Sequence, residues 1–206
     1  MRVIAGEGVH EIEIQRSRFI CALGRVTDED EATAFIAEVR KRHWSANHNC
    51  SAFRIGPNGE IQRSSDDGEP AGTAGVPMLE VLVRRELTDT VAVVTRYFGG
   101  IKLGAGGLVR AYSRAVSEAI DAVGTLRRAR FATLRITTGH AEAGRLDHAL
   151  RTAGHRVAEV DYGREVSFTV QVPEADTAAF RNWLAEQTGG AATAVDGPPV
   201  DLDVPD

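Results

Sequence analysis

The sequence has few cysteines and no long apolar run, and both absences exclude classes of protein. Cys21 and Cys50 are the only cysteines among 206 residues, too few for the disulfide framework of a small secreted domain. No run of about 18 apolar residues occurs, so no segment is a candidate membrane-spanning helix. The first residues lack a basic region followed by an apolar run, so no signal peptide is expected. We therefore expect a cytoplasmic protein with no membrane partner.

The chain also lacks an excess of basic residues. It has 24 Lys and Arg against 29 Asp and Glu, which gives a formal net charge of −5. Proteins that attract nucleic acid by bulk charge are usually basic, so any site for a polyanion here must be local. A hydrophobic content of 43% and a charged content of 26% are ordinary for a globular chain with a packed core.

Strand and helix patterns alternate through the N-terminal part of the chain. Apolar and polar residues alternate on both sides of a break within residues 10–26, which predicts a pair of strands. Residues 27–44 begin with acidic and end with basic side chains, the charge order that a helix dipole favours. Further on, the sequence predicts a hairpin turning at 57–59, a helix from Pro77, a buried strand at 88–98 and a helix after residue 107.

The pattern restarts after Gly124 in the order β-α-β-β-α-β, which is typical of a ferredoxin-like domain. The sequence therefore predicts a two-domain α+β protein with its boundary near Arg127–Arg130. These predictions give an N-terminal domain over residues 1–126, a ferredoxin-like domain over 131–196 and a flexible Pro-rich, acidic tail over 197–206.

Two glycine-rich segments each precede a predicted helix, and the second is basic. A helix start presents unpaired N–H groups and the positive end of its dipole, and glycines let a ligand approach the backbone closely. Between Asp89 and Glu118 the sequence has no acidic residue. This interval contains Arg96, Tyr97, Phe98, Gly99, Gly100, Lys102, Gly104, Gly106, Gly107, Arg110 and Arg114. The basic residues favour an anion, and the two aromatic rings offer a surface for stacking an unpaired base.

A purely structural interpretation of the same residues stays open. The glycines can serve only the turn, the aromatic residues can belong to the core, and Arg114 can pair with Glu118 four residues on. Neither segment matches a P-loop, because no Lys-Ser or Lys-Thr follows the glycines, and Val109 stands where GxGxxG needs its last glycine.

The first glycine-rich segment is acidic and contains Asp66, Asp67, Gly68 and Glu69. Its carboxylates can hold Mg²⁺, or they can form salt bridges to the basic segment and favour a turn; we prefer the second interpretation. His48 and Cys50 share one face of a predicted strand, near His43, but third and fourth ligands for a soft metal are not evident. No GxSxG sequence or catalytic triad is found. We expect no metal, no cofactor and no catalytic residues.

Two sequence blocks closely resemble the signature of the YigZ/IMPACT family. They are SDDGEPAGTAGVPML and VAVVTRYFGGIKLGAGGLVRAYSRA, which together cover roughly residues 64–115, and HNCSAFRIG upstream is also similar. The resemblance implies an N-terminal α/β sandwich like the second domain of small-subunit ribosomal protein five, followed by a ferredoxin-like domain. Eukaryotic relatives are translational regulators with a different second domain, and bacterial members have a suspected nucleic-acid or ribosome role. The motif positions that would carry this role are Asp66, Asp67, Gly68, Glu69, Arg96, Tyr97, Phe98, Gly99, Gly100, Lys102, Gly104, Gly106, Gly107 and Arg110.

Three functions follow from the residues and the resemblance. The first is a translation regulator that binds RNA or the ribosome through the basic glycine-rich segment. The second is an adaptor for a protein partner in translation control, with its binding surface elsewhere. The third and least favoured is an enzyme that binds a small phosphate-containing molecule, since this fold also occurs in sugar and mevalonate-type kinases but fold alone is a poor guide to function.

Overall fold

The computed structural model describes residues 1–205, and the chain divides into two compact units. The N-terminal unit comprises residues 1–128 with the described residues from 203 onward, and the C-terminal unit comprises residues 129–202. The division falls within a continuous strand rather than in a loop. None of the helices among the described residues is both long and apolar enough to span a bilayer.

The N-terminal unit is built on one antiparallel sheet. The strands of the unit are β1 (Arg2–Ile4), β2 (Gly8–Ile14), β3 (Ser17–Arg25), β4 (His48–Ile55), β5 (Ile61–Ser65) and β6 (Thr90–Tyr97), and all except β1 belong to this sheet. The main sheet has the order β2-β3-β6-β4-β5, so that β6 lies at its centre, while β1 pairs with the start of β7 (Thr125–Thr138). The predicted strand pair, hairpin and buried strand are therefore confirmed.

Helices cover both faces of this sheet. They are α1 (Glu29–Arg42), α2 (Gly75–Arg84) and α3 (Gly104–Val123). The start of α1 is fixed by a reciprocal pair of hydrogen bonds: the Asp28 carboxylate accepts the Glu31 N–H at 2.8 Å, and the Glu31 carboxylate accepts the Thr27 N–H at 2.7 Å. The N–H groups at the start of α3, by contrast, have no side-chain cap.

Alternation along β6 sends its side chains into two cores. Ala92 and Val94 pack with α2 and α3, and Tyr112 is fully buried in that larger core. Val91 and Val93 pack on the opposite face with α1. A strand buried on both faces accounts for the nearly continuous apolar run of β6. The large core fixes the position of the segment between β6 and α3, which carries the candidate site.

The C-terminal unit has the predicted order β-α-β-β-α-β. After β7 come α4 (His140–Thr152), β8 (Arg156–Tyr162), β9 (Val166–Pro173), a 3-10 turn (Glu174–Asp176), α5 (Thr177–Thr188) and β10 (Ala194–Asp196). The sheet order is β10-β7-β9-β8, and each of these neighbouring strands pairs antiparallel with the next. Leu134 and Phe168 from the sheet pack against Phe180 and Leu184 of α5. This is the ferredoxin-like arrangement that the sequence predicts.

The prediction of a flexible tail over residues 197–206 is wrong for the segment that forms β11 (Val200–Val204), which pairs with β7. The reason is an ion-pair network that composition alone did not reveal. The Asp203 carboxylate accepts hydrogen bonds from Arg25 at 2.5 Å and from Arg128 at 3.0 Å, and Arg128 also bonds to Asp89. The last residue of the predicted tail, Asp206, lies outside the described residues.

Candidate anion-binding site

A cavity of about 440 Å³ lies at the start of α3, where three predicted segments of the N-terminal unit meet. The loop after β5 brings an acid, the end of β6 brings a guanidinium, and the β6–α3 connection brings a lysine and the first N–H groups of the helix. The lining residues are Asn47, His48, Glu69, Pro70, Arg96, Phe98, Lys102, Leu103, Gly104, Ala105 and Leu108. The structure thus brings acidic and basic glycine-rich segments together.

Arg96 is a buried cation held in a fixed position. Its side chain is only 7% exposed, and its guanidinium donates to the Glu69 carboxylate over 2.6 Å. The Phe19 and Phe98 rings lie 5.4 and 5.5 Å from the guanidinium carbon. Its Nε–H is buried, and within residues 1–205 it has no hydrogen-bond partner. A buried donor without a partner is costly, and this cost is part of holding the guanidinium at the cavity wall.

The start of α3 supplies further donors. Gly104 has a left-handed φ of 69°, a conformation that glycine adopts without strain, and it is the first residue of the helix. With no side-chain cap, the first N–H groups remain available to a ligand. Lys102 is exposed beside them, and no ion pair of Lys102 occurs among residues 1–205. Backbone dipole and side-chain charge therefore act at the same end of the helix.

Glu69 partly neutralises the site. Its carboxylate is 3% exposed and accepts the Tyr112 hydroxyl at 2.8 Å as well as the Arg96 guanidinium. Nε2 of His48 lies 3.9 Å from the same carboxylate, and the Cys50 thiol donates to the Tyr112 hydroxyl at 3.4 Å. This network links the acidic loop to β4, β6 and α3, so Glu69 is a structural partner of Arg96 in β6.

The other two acids of the loop anchor the backbone. The Asp66 carboxylate accepts the N–H groups of Gly72, Ala74 and Gly75 at 2.8–3.0 Å. Burial raises the pKa of Asp66, but these three bonds outweigh burial and hold it below its usual value. The carboxylate of Asp67 accepts the Asn49 N–H at 2.7 Å and pairs with Arg40 at 2.9 Å.

These bonds leave little carboxylate capacity for a cation. Within residues 1–205, no group of three or more His, Cys, Asp or Glu side chains is placed to hold a metal ion. Gly68 follows Asp67 with a φ of 87°, in the left-handed region that the turn requires. The interpretation of the acids as salt-bridge partners and turn formers is therefore the one that the geometry favours over Mg²⁺.

Tyr97, Arg110 and Gly99 belong to the predicted site but do not line the cavity. The neighbours Arg96 and Tyr97 point to opposite faces of the sheet: the Tyr97 hydroxyl lies 3.0 Å from Nδ1 of His43, and Arg18 covers its ring. Arg110 lines two other grooves of the N-terminal unit instead. Gly99 has a packing role, because a Cβ there would lie 2.0 Å from the carbonyl carbon of Arg16.

The remaining glycines differ in their surroundings. Gly100 has a φ of 86°, and no atom would lie within 4 Å of a Cβ added there, so it serves the turn before Lys102. Gly106 lies under the Arg110 guanidinium, and Gly107 packs against Leu103, so neither lines the cavity. Among the glycines of this segment, Gly104 alone does so. Of the three basic residues predicted to converge over the helix start, Arg96 and Lys102 line the cavity and Arg110 does not.

Two polar cavity residues, Asn47 and His48, have no anion-site role in the sequence-based prediction. Asn47 precedes β4 and accepts the Phe98 N–H at 2.8 Å, which fixes the chain where it leaves β6. His48 bonds through Nδ1 to the Asp67 carbonyl at 2.9 Å. The register of β4 on β6 places His48 opposite Arg96, and the local sequence pattern does not specify that pairing.

The nucleophilic groups near the cavity are held protonated. Burial, opposed by the Tyr112 hydrogen bond, raises the pKa of the Cys50 thiol to about 12. Burial also raises the pKa of Tyr112 far above its usual value. Since the thiolate is the reactive form of cysteine, Cys50 is inert near neutral pH.

Comparison with known proteins agrees with the two-unit architecture. The model of the Impact N-terminal domain matches residues 15–120, and that of a domain of unknown function, DUF1949, matches residues 136–191. Over 190 residues the chain is 50% identical to IMPACT family member YvyE of Bacillus subtilis, covering 92% of this chain and 88% of that protein. The chain belongs to the IMPACT family.

Other similar proteins differ in how much of the chain they match. IMPACT family member YigZ of Escherichia coli is 36% identical over 87% of this chain and 89% of its own. A crystal structure described as that of a hypothetical protein is 33% identical, with a TM-score of 0.60 over 96% of this chain and 97% of the other. The Protein IMPACT homolog of Saccharomyces cerevisiae is 36% identical over 43% of this chain and 35% of its own length. The similarity to this eukaryotic relative therefore extends over less than half of the chain.

Proposed function

We propose that this IMPACT family member is a translation regulator that binds RNA, or the RNA of the ribosome, through the cavity at the start of α3. The observation that carries the proposal is that Arg96, the exposed Lys102 and the uncapped start of α3 line one cavity. The eukaryotic relatives that the sequence resembles are translational regulators, which supports a role in translation.

Each part of the cavity suits one part of a nucleotide. A phosphate group accepts from Lys102 and from the N–H groups at Gly104 and Ala105, where the helix dipole contributes about 0.3–1 kcal/mol. Phe98 is 45% exposed at the rim, and stacking of a base on an aromatic ring is worth about 1–3 kcal/mol. A single-stranded segment with an accessible base fits this combination better than a duplex does.

A binding role is favoured over catalysis by the chemistry of the cavity. Its one buried acid, Glu69, is engaged by Arg96 and Tyr112, and the nearby thiol of Cys50 is protonated. Such a site offers donors and a stacking surface, while its carboxylate and the nearby thiol are not free to act as a base or a nucleophile. We therefore propose that the protein binds its ligand without transforming it.

The test is the affinity of Lys102→Ala for a single-stranded oligouridylate and for ribosomes, measured as a function of salt. Loss of one phosphate contact should weaken binding and reduce the slope of log affinity against log salt by about 0.7. Lys41→Ala is the matched control, since Lys41 is equally exposed on α1, away from the cavity. It removes the same charge and should leave both quantities nearly unchanged.

Phe98→Ala separates stacking from charge. It should weaken binding of the oligouridylate roughly 5-fold to 150-fold, the equivalent of about 1–3 kcal/mol, and leave the salt slope intact. The proposal fails if wild type binds neither oligouridylate nor ribosomes at low salt. It fails equally if Lys102→Ala stays folded and behaves like Lys41→Ala.

A further inference from the structure

A second basic surface of the N-terminal unit lies in the groove between α2 and α3, outside the cavity described above. This groove has a volume of about 870 Å³. Four arginines and two serines supply its polar side chains: Arg84, Arg85, Arg110, Ser113, Arg114 and Ser117. Among its lining residues only Glu118 is acidic.

Two of the four arginines are neutralised and two are not. Arg85 pairs with Asp121 at 2.9 Å and donates to the Ser117 hydroxyl at 2.8 Å, while Arg114 pairs with Glu118 at 2.6 Å. Arg84 and Arg110 are exposed, and within residues 1–205 neither forms an ion pair. The groove therefore keeps two uncompensated positive charges in a chain of net charge −5.

A third pocket shares lining residues with both the groove and the cavity. Arg110 and Arg114 also line a pocket of about 300 Å³ that reaches back to Gly107 and Leu103. Leu103 in turn lines the cavity. The Arg110 guanidinium folds over Gly106, where its terminal nitrogen would lie 3.5 Å from an added Cβ. Arg110 is thus the link between the two surfaces.

The geometry points to a path for a phosphodiester backbone that runs from the cavity, past Arg110, into the α2–α3 groove. This inference rests on the proposed function and extends it from one nucleotide to a strand. From residue 103 to 117 the helix rise is about 21 Å, at about 1.5 Å per residue. A strand laid along this distance would span several nucleotides rather than one.

Phosphate suits this groove better than a carboxylate-rich protein segment does. Guanidinium groups bind phosphate through paired N–H donors, and the lining offers no aromatic or large apolar anchor of the kind that protein interfaces use. Serine hydroxyls are common donors to phosphate oxygens, and no hydrogen bond of the Ser113 hydroxyl occurs among residues 1–205.

The test compares Arg84→Ala/Arg110→Ala with the control Lys41→Ala/Arg63→Ala. The control removes the same two charges from α1 and the edge strand β5, away from the groove. With a long single-stranded oligouridylate, the groove variant should lower the salt slope by about 1.4, at about 0.7 per lost contact, and the control should not. The Nε–Hε NMR signals of Arg84 and Arg110 in wild type should shift on titration.

Two further binding measurements complete the experiment, one with a shorter oligonucleotide and one with a polyanion that is not a nucleic acid. A dinucleotide, which fills the cavity alone, should bind wild type and the groove variant equally. The inference is overturned if the groove variant matches the control, or if poly-glutamate of equal charge binds wild type as tightly as oligouridylate. Loss of binding in Lys102→Ala with an unaffected groove variant removes the path and leaves the proposed cavity site standing. If instead the groove variant loses binding and Lys102→Ala binds like wild type, the result removes the proposed cavity site and leaves the groove.

Discussion

Glu69→Ala is the perturbation that most directly tests the structure of the site. It removes the carboxylate that faces the Arg96 guanidinium at 2.6 Å, where both side chains are at most 7% exposed. It also leaves the buried Tyr112 hydroxyl without its acceptor. Breaking a buried pair leaves a buried charge uncompensated and costs about 3–5 kcal/mol of the free energy of unfolding.

The chain offers a matched control in an exposed pair of the same length. Glu11 accepts from Arg18 at 2.6 Å, but these side chains are 43% and 50% exposed. Solvent screening reduces such a pair to about 0–1 kcal/mol, so Glu11→Ala should change stability little. The N···O distance is the same in both pairs, so the difference between the two variants reports the effect of burial together with the loss of the Tyr112 hydrogen bond.

The assay is urea unfolding at pH 7, followed by far-UV circular dichroism, with thermal unfolding beside it. For a protein of this length each 1 kcal/mol lowers the melting temperature by about 2–4 °C, so Glu69→Ala should melt roughly 6–20 °C lower. If Glu69→Ala costs no more than Glu11→Ala, the buried network does not stabilise the unit. That result would refute the assignment of Glu69 as the structural partner of Arg96.

Glu69→Gln extends the same test to the ligand. Gln retains an oxygen that can accept from Arg96 and Tyr112, yet it removes the negative charge beside the cavity. Relief of charge repulsion at short range, worth on the order of 1–3 kcal/mol in this setting, should tighten binding of inorganic phosphate by about fivefold or more. Unchanged or weaker phosphate binding in a folded Glu69→Gln variant would contradict the anion site.

Three further outcomes concern the acidic loop, the C-terminal strand and the metal hypothesis. Asp66→Ala should cost about 2–3 kcal/mol in urea unfolding and Asp66→Asn less, because three backbone N–H groups lose or weaken their acceptor. The pKa of Asp66 and that of Asp203 are both lowered in the folded state, although burial alone would raise them. The ionised carboxylates therefore contribute fully to the stability of the folded protein above the ordinary pKa of 3.8, and this contribution is lost as the pH falls through the lowered pKa values. The free energy of unfolding should therefore fall more steeply with pH below about pH 4, and less steeply in Asp203→Asn. If the pH dependence of stability below pH 4 is the same in Asp203→Asn as in wild type, the result counts against the network around β11. A chelator should leave the melting temperature unchanged, and a large fall would restore the metal hypothesis for His43, His48 and Cys50.

The local sequence pattern predicted most helices and strands, because side chains on the buried face of an element recur with the period of that element. The alternation in β2, the buried runs of β3 and β6 and the apolar stripe of α3 all express this period. The same rule also separates Arg96 from Tyr97, since adjacent strand residues face opposite sides of the sheet. Grouping these two residues in one site neglected that constraint.

Contacts between distant segments lay beyond the sequence. Glu69 and Arg96 are 27 residues apart, and Asp203 bonds to Arg25 across 178 residues. Charge pairing at such separations depends on how the sheet is ordered, which composition does not specify. The flexible tail was predicted for this reason, since a Pro-rich acidic segment is typical of a mobile chain until its basic partners are known.

The balance of charge within the site has a consequence for how the protein can bind RNA. Glu69 offsets Arg96, so the cavity itself retains mainly Lys102 and the helix start as attractive groups. A net charge of −5 opposes a polyanion at long range, although salt at 0.15 M screens it beyond about 8 Å. One nucleotide bound in the cavity thus gains little, whereas contacts repeated along α3 add at short range, where screening is incomplete. Affinity that rises steeply with strand length is the behaviour that this distribution of charge predicts.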